Sequence, residues 1–417
     1  MSGTRPRTLF LAALAAALVA APAAHSQQTV RLPGEDRALA LRPTPVFAVG
    51  TAEGREWEMF SRVEQVAFDR ADNLYVLDGG GHRVLVFDRA GRFVRQFGKK
   101  GGGPGEFQMP LGMTVQGDGT VAVADLIARS YSLFSPDGRY LRSVPFVDGY
   151  MPMAMGGGFS SHPRGGVVTA VRQAPPMTMD GRMRREVLQA TPIVWQPFAA
   201  GAEPVRLFNA PTEINSQTQA SEPSRGERQV SFRMSIPVFT PSVSWGMLPG
   251  GDLVVAHTPG YTLKVMRDGQ PVRYIQRPVR ERKVTEADRQ RERERRREAM
   301  RTGEGMRVVS VGPGGGGRGQ MSPEMIEQQL RDMEFAETIP AIQGLRVDGA
   351  GRIWVERTGE EWGEPGPIDV VAPDGRYLGT VTGHRLPDAF SPSGRAAYLE
   401  KDDMGVERVV VRQLPRL

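Results

Sequence analysis

The chain contains no cysteine in its 417 residues, and aromatic residues make up only 7% of it. The absence of cysteine excludes disulfide bonds, a lipid-modified amino-terminal cysteine and a cysteine nucleophile. The fold must therefore be held together by packing alone. Short runs of Val, Leu and Ile recur along the chain, and a chain of this length can bury a sizeable core.

Long apolar runs are also scarce. The run from Leu9 to Ala21 is the longest, it follows Arg5 and Arg7, and it is short for a membrane span. A basic start followed by such a run is typical of a signal peptide, so residues 1–26 are predicted to direct export and to be cleaved before Gln27. A retained membrane anchor is the alternative. No transmembrane segment is expected after cleavage, and the predicted location is periplasmic or extracellular.

The net charge is small for this length. It is +6 for the whole chain, and it falls to +4 once residues 1–26, with two arginines and no acid, are removed. A balance this close to neutrality is weak evidence for a polyanionic partner. We expect no nucleic-acid partner.

Glycine and proline are abundant, with 50 and 33 residues, and they concentrate between short apolar or alternating runs. This distribution is typical of a turn-rich β protein. The stretch from Val66 to Val144 contains the same pattern twice, as four runs joined by Gly, Asp or Pro turns. The runs are 66–69, 73–78, 83–88 and 92–98 in the first copy, and 113–116, 120–125, 131–135 and 139–144 in the second.

A four-strand unit that repeats at about 45 residues predicts a β-propeller blade. Further copies follow at 158–208, 243–275, 342–381 and 389–411. The sixth copy lacks its fourth strand, and a spare strand stands at Val46–Val49. The sequence therefore predicts an all-β, six-bladed β-propeller over residues 44–417, closed by the amino-terminal strand. Residues 27–43 are predicted to be a poorly ordered lead-in, and 209–230 a long loop.

A helical insertion is predicted at about residues 280–338, between blades four and five. Thr285 and Asp288 are spaced like a capping box, and the following run from Arg289 to Arg301 alternates Glu and Arg with almost no apolar face. A second helix is predicted to begin at Ser322-Pro323. The matched charges favour a solvated insertion over a nucleic-acid or membrane patch.

The segment from Gly98 to Phe107 and the following Pro110-Leu111-Gly112 carry a family resemblance. Together with Val76-Leu77-Asp78, Val123-Ala124-Asp125 and the strand 83–87, this stretch resembles the NHL-repeat family. The resemblance implies a six-bladed propeller that is often exported by bacteria and mainly serves as a binding scaffold. A few related propellers are enzymes, such as calcium-dependent lactonases and a zinc-dependent amidating lyase. Likeness of fold does not transfer those activities.

Six polar residues end the second strands of the six copies, and these ends gather around one rim of a propeller. The predicted rim residues are Asp78, Asp125, Arg172, His257, Arg357 and Glu400. They are predicted to bind a ligand at this rim. The alternative is that each residue caps its own turn by bonding nearby backbone groups.

Signals of metal binding and catalysis are weak. The mature histidines His82, His162, His257 and His384 fall at unlike strand positions, which argues against a zinc site. The stretch Gly98–Gly105 lacks the Gly-Lys-Ser/Thr ending of a phosphate loop. There is no nucleophile elbow and no paired acid motif. We expect no cofactor.

Three functions are compatible with these observations. The first is an exported, monomeric, non-catalytic scaffold that binds a protein, peptide or glycan at one rim. The second is a metal-dependent lactonase or lyase, with calcium or zinc in the central channel. The third is a structural protein of the cell envelope that has no saturable ligand.

Overall fold

The computed structural model describes residues 28–154, 157–173, 190–211, 215–220, 230–235, 237–302 and 323–417. Over these residues the chain forms an all-β, six-bladed β-propeller, as the sequence predicts. The predicted signal peptide lies outside the described residues. Neither of the two helices in the described part is long and apolar enough to cross a membrane.

The amino-terminal segment contributes two strands before the first blade begins. They are β1 (Gln28–Arg31) and β2 (Thr44–Val49). Blade one then consists of β3 (Val63–Phe68), β4 (Leu74–Asp78), β5 (Arg83–Phe87) and β6 (Phe93–Phe97). Blade two consists of β7 (Pro110–Val115), β8 (Val121–Asp125), β9 (Ser130–Phe134) and β10 (Tyr140–Pro145). Each blade is an antiparallel sheet in chain order, with its first strand innermost.

Blade three is the least regular blade. Its strands are β11 (Tyr150–Met153), β12 (Phe159–Ser161), β13 (Val167–Gln173), β14 (Ala190–Gln196) and β15 (Val205–Pro211). Both β11 and β12 pair with β13. The stretch predicted as a long loop contains β16 (Asn215–Ala220), which pairs with β17 (Val230–Ser235). That part of the prediction is wrong, because a two-stranded hairpin satisfies backbone groups that a loop would leave to water.

Blade four precedes the insertion. It consists of β18 (Ser244–Met247), β19 (Leu253–Ala256), β20 (Thr262–Arg267) and β21 (Gln270–Gln276). The insertion contains β22 (Arg282–Lys283), α1 (Glu286–Thr302), α2 (Pro323–Arg331) and β23 (Thr338–Ile339). Its base is closed by the antiparallel pair β22–β23. The predicted limits of about 280 and 338 coincide with this pair.

Blades five and six complete the ring. Blade five consists of β24 (Ile342–Val347), β25 (Ile353–Arg357), β26 (Ile368–Val371) and β27 (Tyr377–Val381), and blade six of β28 (Ala389–Phe390), β29 (Arg395–Lys401) and β30 (Glu407–Gln413). The fourth strand of blade six is β2, which pairs antiparallel with β30 and matches Phe47 to Val411 and Val49 to Val409. The predicted closure is therefore confirmed.

The amino-terminal segment is not the poorly ordered lead-in that the sequence predicts. β1 adds a fifth, parallel strand to the outer edge of blade four, with Val30 opposite Ile275. Farther on, Ala38 forms a parallel bridge to Thr380 in blade five. The segment thus covers two blade edges before it reaches blade six. Backbone hydrogen bonds order it, and Leu32 and Leu41 are buried in the clusters between blades four and five and between blades five and six.

Apolar clusters lie between neighbouring blades all the way round the ring. Blades one and two share a cluster that includes Leu77 and Met113, and blades six and one share one that includes Val66 and Val411. Equivalent clusters join blades two and three, three and four, four and five, and five and six. Each blade is thus packed on both sides.

The two faces of the propeller carry different connections. One face, here named the mouth face, holds the beginnings of the innermost strands and the hairpins between second and third strands. The insertion and the loop 358–367 both lie on it. In the insertion, Phe335 contacts Phe239, and Trp362 of blade five packs edge-on against Phe239 with ring centroids 5.2 Å apart. The insertion is therefore fixed to the loop beside the channel.

Helix α1 begins with the predicted capping box. The backbone N–H of Thr285 donates to Asp288 at 2.9 Å, and the N–H of Asp288 donates back to Thr285 Oγ1 at 3.2 Å. Although α1 has almost no apolar face, it buries two acidic side chains, since Asp288 and Glu292 are each only 3% exposed. Glu292 is held by Arg295 and Arg296 at 2.7–2.8 Å, so ion pairs replace an apolar face.

Closure by β2 can be tested by truncating the side chain that faces the core. Phe47→Ala should lower the free energy of unfolding by about 2 kcal/mol, because Phe47 packs against the cluster shared by blades six and one. Urea denaturation measures this change. The matched control is Val46→Ala, whose side chain is exposed on the same strand, and it should stay within about 0.5 kcal/mol of the wild type. Equal effects of the two substitutions would contradict the closure.

Candidate ligand-binding site at the channel mouth

Asp78 and Asp125, two of the predicted rim residues, are fully buried caps of the mouth-face hairpins. Asp78 Oδ1 accepts the backbone N–H groups of Ser61, Arg62 and Gly81 at 3.0–3.1 Å. Asp125 occupies the equivalent place in blade two and accepts four backbone N–H groups. With neither side chain exposed, both residues serve the loops around them.

Arg357 and Glu400 are also engaged within the fold. Glu400 accepts a hydrogen bond from Arg412 at 2.9 Å. Arg357 donates to Asp36 of the amino-terminal segment at 2.6 Å and lies 3.4 Å from Asp369. Both arginine and glutamate therefore stabilise contacts between strands or segments.

Asp369 is the centre of a buried ion network between blades four and five. It is inaccessible to solvent, and its Oδ1 lies 2.7 Å from Arg277, which is 4% exposed. Arg277 also donates to Asp36 at 2.6 Å, and Thr380 donates to Asp369 at 2.6 Å. The network ties the amino-terminal segment to two blades, and its charges are costly to bury unless all partners are present.

Asp369→Asn should lower the free energy of unfolding by about 3 kcal/mol, because it leaves two buried guanidinium groups short of a counter-charge. Thermal and urea unfolding measure the change. Asp374→Asn on the exposed turn of the same blade removes one carboxylate without burial and should change stability by less than about 0.5 kcal/mol. A near-neutral effect at Asp369 would contradict the role of the network.

The last two rim residues differ from each other. Arg172 is exposed at the end of β13. His257 packs edge-on against Phe208, with ring centroids 5.0 Å apart, and burial together with the nearby Lys264 ammonium lowers the pKa of His257 to about 4. His257 is therefore neutral at physiological pH.

In the described structure, no two of the six rim residues are bonded to each other and none lines the cavity described next. That they bind a ligand stays a prediction. Their shared position at the second-strand ends is as expected, but side chains there point into blade interfaces and hairpins as well as toward the mouth.

A cavity of about 410 Å³ lies at the mouth face between the innermost parts of blades four, five and six. We name it the mouth cavity. Its polar lining consists of Ser242, Ser244, Gln343, Arg346, Glu356, Arg385 and Asp388. Among the described residues that line it there is no histidine and no aromatic side chain.

The mouth cavity continues into the central channel. The channel holds a further cavity of about 260 Å³, and Arg346 and Asp388 line both spaces. Innermost strands of all six blades line the channel, with Gln65, Thr114 and Ser160 among their polar side chains. Arg346 and Asp388 therefore mark the passage from the mouth into the channel.

The charged groups of the mouth cavity are poorly solvated. Burial raises the pKa of Asp388 and of Glu356, although Arg385 and Arg346 lie near both carboxylates. Burial likewise lowers the pKa of Arg346. Three charged groups in one cleft, Asp388, Glu356 and Arg346, have pKa values shifted against their charged forms, a pattern found at functional sites.

Gly344 explains how Glu356 reaches the cavity. The two residues are opposite each other in β24 and β25, and a Cβ on Gly344 would lie 3.2 Å from Glu356 Oε2 and 3.1 Å from Leu386. A side chain at position 344 would occupy the space beside the carboxylate. Neighbouring residues of a strand point to opposite faces, so Arg357 turns away to Asp36.

The sequence contains a signal for this site that a comparison of the second-strand ends does not reveal. Innermost strands line the channel of a propeller, so a charge on or next to one of them is a candidate channel residue. Arg346 lies within β24, and Asp388 directly precedes β28. Charges on or next to the innermost strands therefore identify Arg346 and Asp388 from the sequence.

The residues of the channel do not form a metal cage. In the part of the chain that the structure describes, no group of three or more His, Asp or Glu side chains could hold an ion together. Asp388 is the one carboxylate that lines the channel cavity, and it already accepts the N–H of Leu399 at 2.7 Å. This donor set does not fit calcium or zinc.

Comparisons with known proteins agree on the fold. A family described as a 6-bladed beta-propeller (DUF5128) matches residues 53–140, which contain the two most regular copies of the sequence repeat. No curated protein matches the chain.

Solved structures are similar over most of the chain. One is an exported-protein candidate from Bacteroides fragilis, at 11% identity and TM-score 0.47, covering 93% of this chain and 100% of that one. Another is a gluconolactonase from Xanthomonas campestris, at 14% identity and TM-score 0.41, covering 91% and 99%. A third is the calcium-binding protein regucalcin from Agrobacterium tumefaciens, at 12% and 0.37, covering 92% and 97%. Likeness at this level concerns the fold alone.

Glu356→Gln should make the protein slightly more stable at neutral pH, raising the melting temperature on the order of 1 °C. A carboxyl whose folded pKa is raised stabilises the fold at low pH and loses that contribution as pH rises through its folded pKa. The gain in Glu356→Gln should therefore shrink as pH falls through the raised folded pKa of Glu356, because the wild-type carboxyl then becomes protonated. Differential scanning calorimetry across pH 4–8 measures this change in melting temperature. A variant that is less stable than the wild type at pH 7 would contradict the inference that the buried carboxylate of Glu356 destabilises the fold.

Proposed function

We propose that the protein is an exported, non-catalytic propeller scaffold that binds a peptide segment of its ligand in the mouth cavity. The observation that carries this proposal is the cavity itself, with its three poorly solvated charges at the end of the channel. Such groups lower the stability of the free protein and are expected where a ligand compensates them. The signal peptide predicted at residues 1–26 and the NHL-like repeats support export and a binding role.

A peptide suits this cavity better than a glycan. Sugar rings commonly stack on aromatic side chains, and no aromatic residue is among the described residues that line the cavity. Peptides supply both charges and backbone hydrogen-bonding groups, which match serine, glutamine, arginine and carboxylate side chains. A volume of about 410 Å³ accommodates one or two amino-acid side chains rather than a folded domain.

The metal-dependent lactonase or lyase gains little support from the geometry. It needs ligands that converge on one ion, and the described channel supplies one carboxylate. Elemental analysis of the purified protein separates the two functions. Stoichiometric calcium or zinc, with a lactone- or peptide-cleaving activity that chelation removes, would overturn the scaffold proposal.

Site-directed photocrosslinking tests the location of ligand binding. A benzoylphenylalanine placed at the exposed cavity residue Ser242 should capture one species from an extract of the source cells, and excess unlabelled protein should compete for it. The same group at Asp118, an exposed turn on the opposite face, should capture none of it. Capture that is equal at both positions, or that does not saturate, would contradict a ligand site at the mouth.

A further inference from the structure

The mouth cavity is lined by three side chains that accept hydrogen bonds, Asp388, Glu356 and Gln343. Asp388 Oδ2 accepts the N–H of Leu399 at 2.7 Å. Glu356 accepts one backbone N–H, that of Gly366. A carboxylate can accept about four hydrogen bonds, so both retain free capacity.

Gln343 adds a third open acceptor. Its Oε1 is buried and has no hydrogen-bond partner within the described chain. A buried carbonyl oxygen without a donor costs free energy that a bound donor would recover. Gln343 and Glu356 belong to blade five and Asp388 directly precedes the first strand of blade six, so the three acceptors surround one space.

The two arginines of the cavity donate hydrogen bonds to backbone carbonyl oxygens. Arg385 donates from Nη1 to the carbonyl oxygen of Leu399 at 2.6 Å, and its Nη2 lies 3.7 Å from Asp388, beyond hydrogen-bond distance. Arg346 donates from Nη1 to its neighbour Leu345 at 2.9 Å. These contacts hold both guanidinium groups against backbone carbonyls.

We propose that the mouth cavity binds a cationic group with several N–H donors, the guanidinium or ammonium of a peptide side chain, between Asp388, Glu356 and Gln343. This inference rests on the proposed function and adds the ligand's chemistry to it. A guanidinium carries five N–H donors in one plane and an ammonium carries three, so either can serve all three acceptors at once. The two carboxylates supply the counter-charge, and Gln343 supplies a neutral acceptor.

The placement of the arginines adds selectivity. Arg385 is exposed at the edge of the cavity, whereas Arg346 lies deeper, where the cavity meets the channel. The two guanidinium groups would repel a second cation on the ligand. They would attract a backbone carbonyl or a carboxylate next to the ligand's basic side chain. The cavity is therefore suited to a single basic residue within an otherwise neutral or acidic segment.

Short peptides test the proposal with the full-length mature protein. The probes are acetyl-Gly-Arg-Gly-amide, its lysine counterpart, its citrulline counterpart and its glutamate counterpart. Isothermal titration calorimetry should show saturable binding of the arginine or lysine peptide. Citrulline matches arginine in size but carries no charge, and its peptide should bind at least about tenfold more weakly.

Variants assign the binding to the three acceptors. Glu356→Gln and Asp388→Asn should each lower the affinity for the basic peptide by about tenfold, and Gln343→Leu should lower it by a smaller factor. The matched control Asp374→Asn removes the same charge from the opposite face and should change affinity less than twofold. Ser242→Arg changes only an exposed side chain, so folding is not in question, and it should abolish binding by placing a cation in the cavity.

The outcomes separate this inference from the proposed function. The proposal of a cationic ligand is refuted if neither basic peptide binds. It is also refuted if both peptides bind Ser242→Arg as tightly as they bind the wild type. Binding of the glutamate peptide instead, lost in Arg385→Gln, would refute the cation but keep the mouth as a ligand site. If crosslinking at Ser242 also captures nothing, the proposed function itself fails.

Discussion

The pairing of β2 with β30 is the constraint on which the rest of the structure depends. It joins the two ends of the chain in one sheet and removes the exposed edge that blade six would otherwise keep. With the ring closed, each blade packs between two neighbours, and the six innermost strands are held around one channel. Arg346 and Asp388, which are far apart in sequence from the amino-terminal strand, depend on that closure for their positions at the mouth.

The mouth cavity shows the opposite balance from the rest of the ring. The buried ions between blades four and five pair closely, with Asp369 Oδ1 contacting Arg277, Arg357 and Thr380. At the mouth, burial outweighs the nearby arginines and raises the pKa of both carboxylates. The paired ions around Asp369 stabilise the fold. The poorly solvated carboxylates at the mouth do not, and they are explained by a ligand that binds there. This contrast within one domain is the physical basis of the proposed binding site.

Most of the fold could be predicted from the sequence, because strand alternation and turn residues are local signals. The missing fourth strand of the last repeat and the spare strand at Val46–Val49 even predicted the closure. The hairpin β16–β17 and the pairing of β1 were not predicted, because β16 and β1 contain one apolar side chain each and therefore show no apolar pattern. The mouth cavity was missed for a geometric reason. Strand ends were aligned by sequence position, which selected Arg357, while the pleat turns its neighbour Glu356 toward the mouth.

The most direct test of this account is a crystal structure of the protein with acetyl-Gly-Arg-Gly-amide. The account predicts the guanidinium within hydrogen-bond distance of Asp388 Oδ1, Glu356 and Gln343 Oε1, with the peptide backbone leaving through the mouth face. A peptide bound at the ends of the second strands, beside Arg172 and His257, with the mouth cavity holding only water, would contradict it.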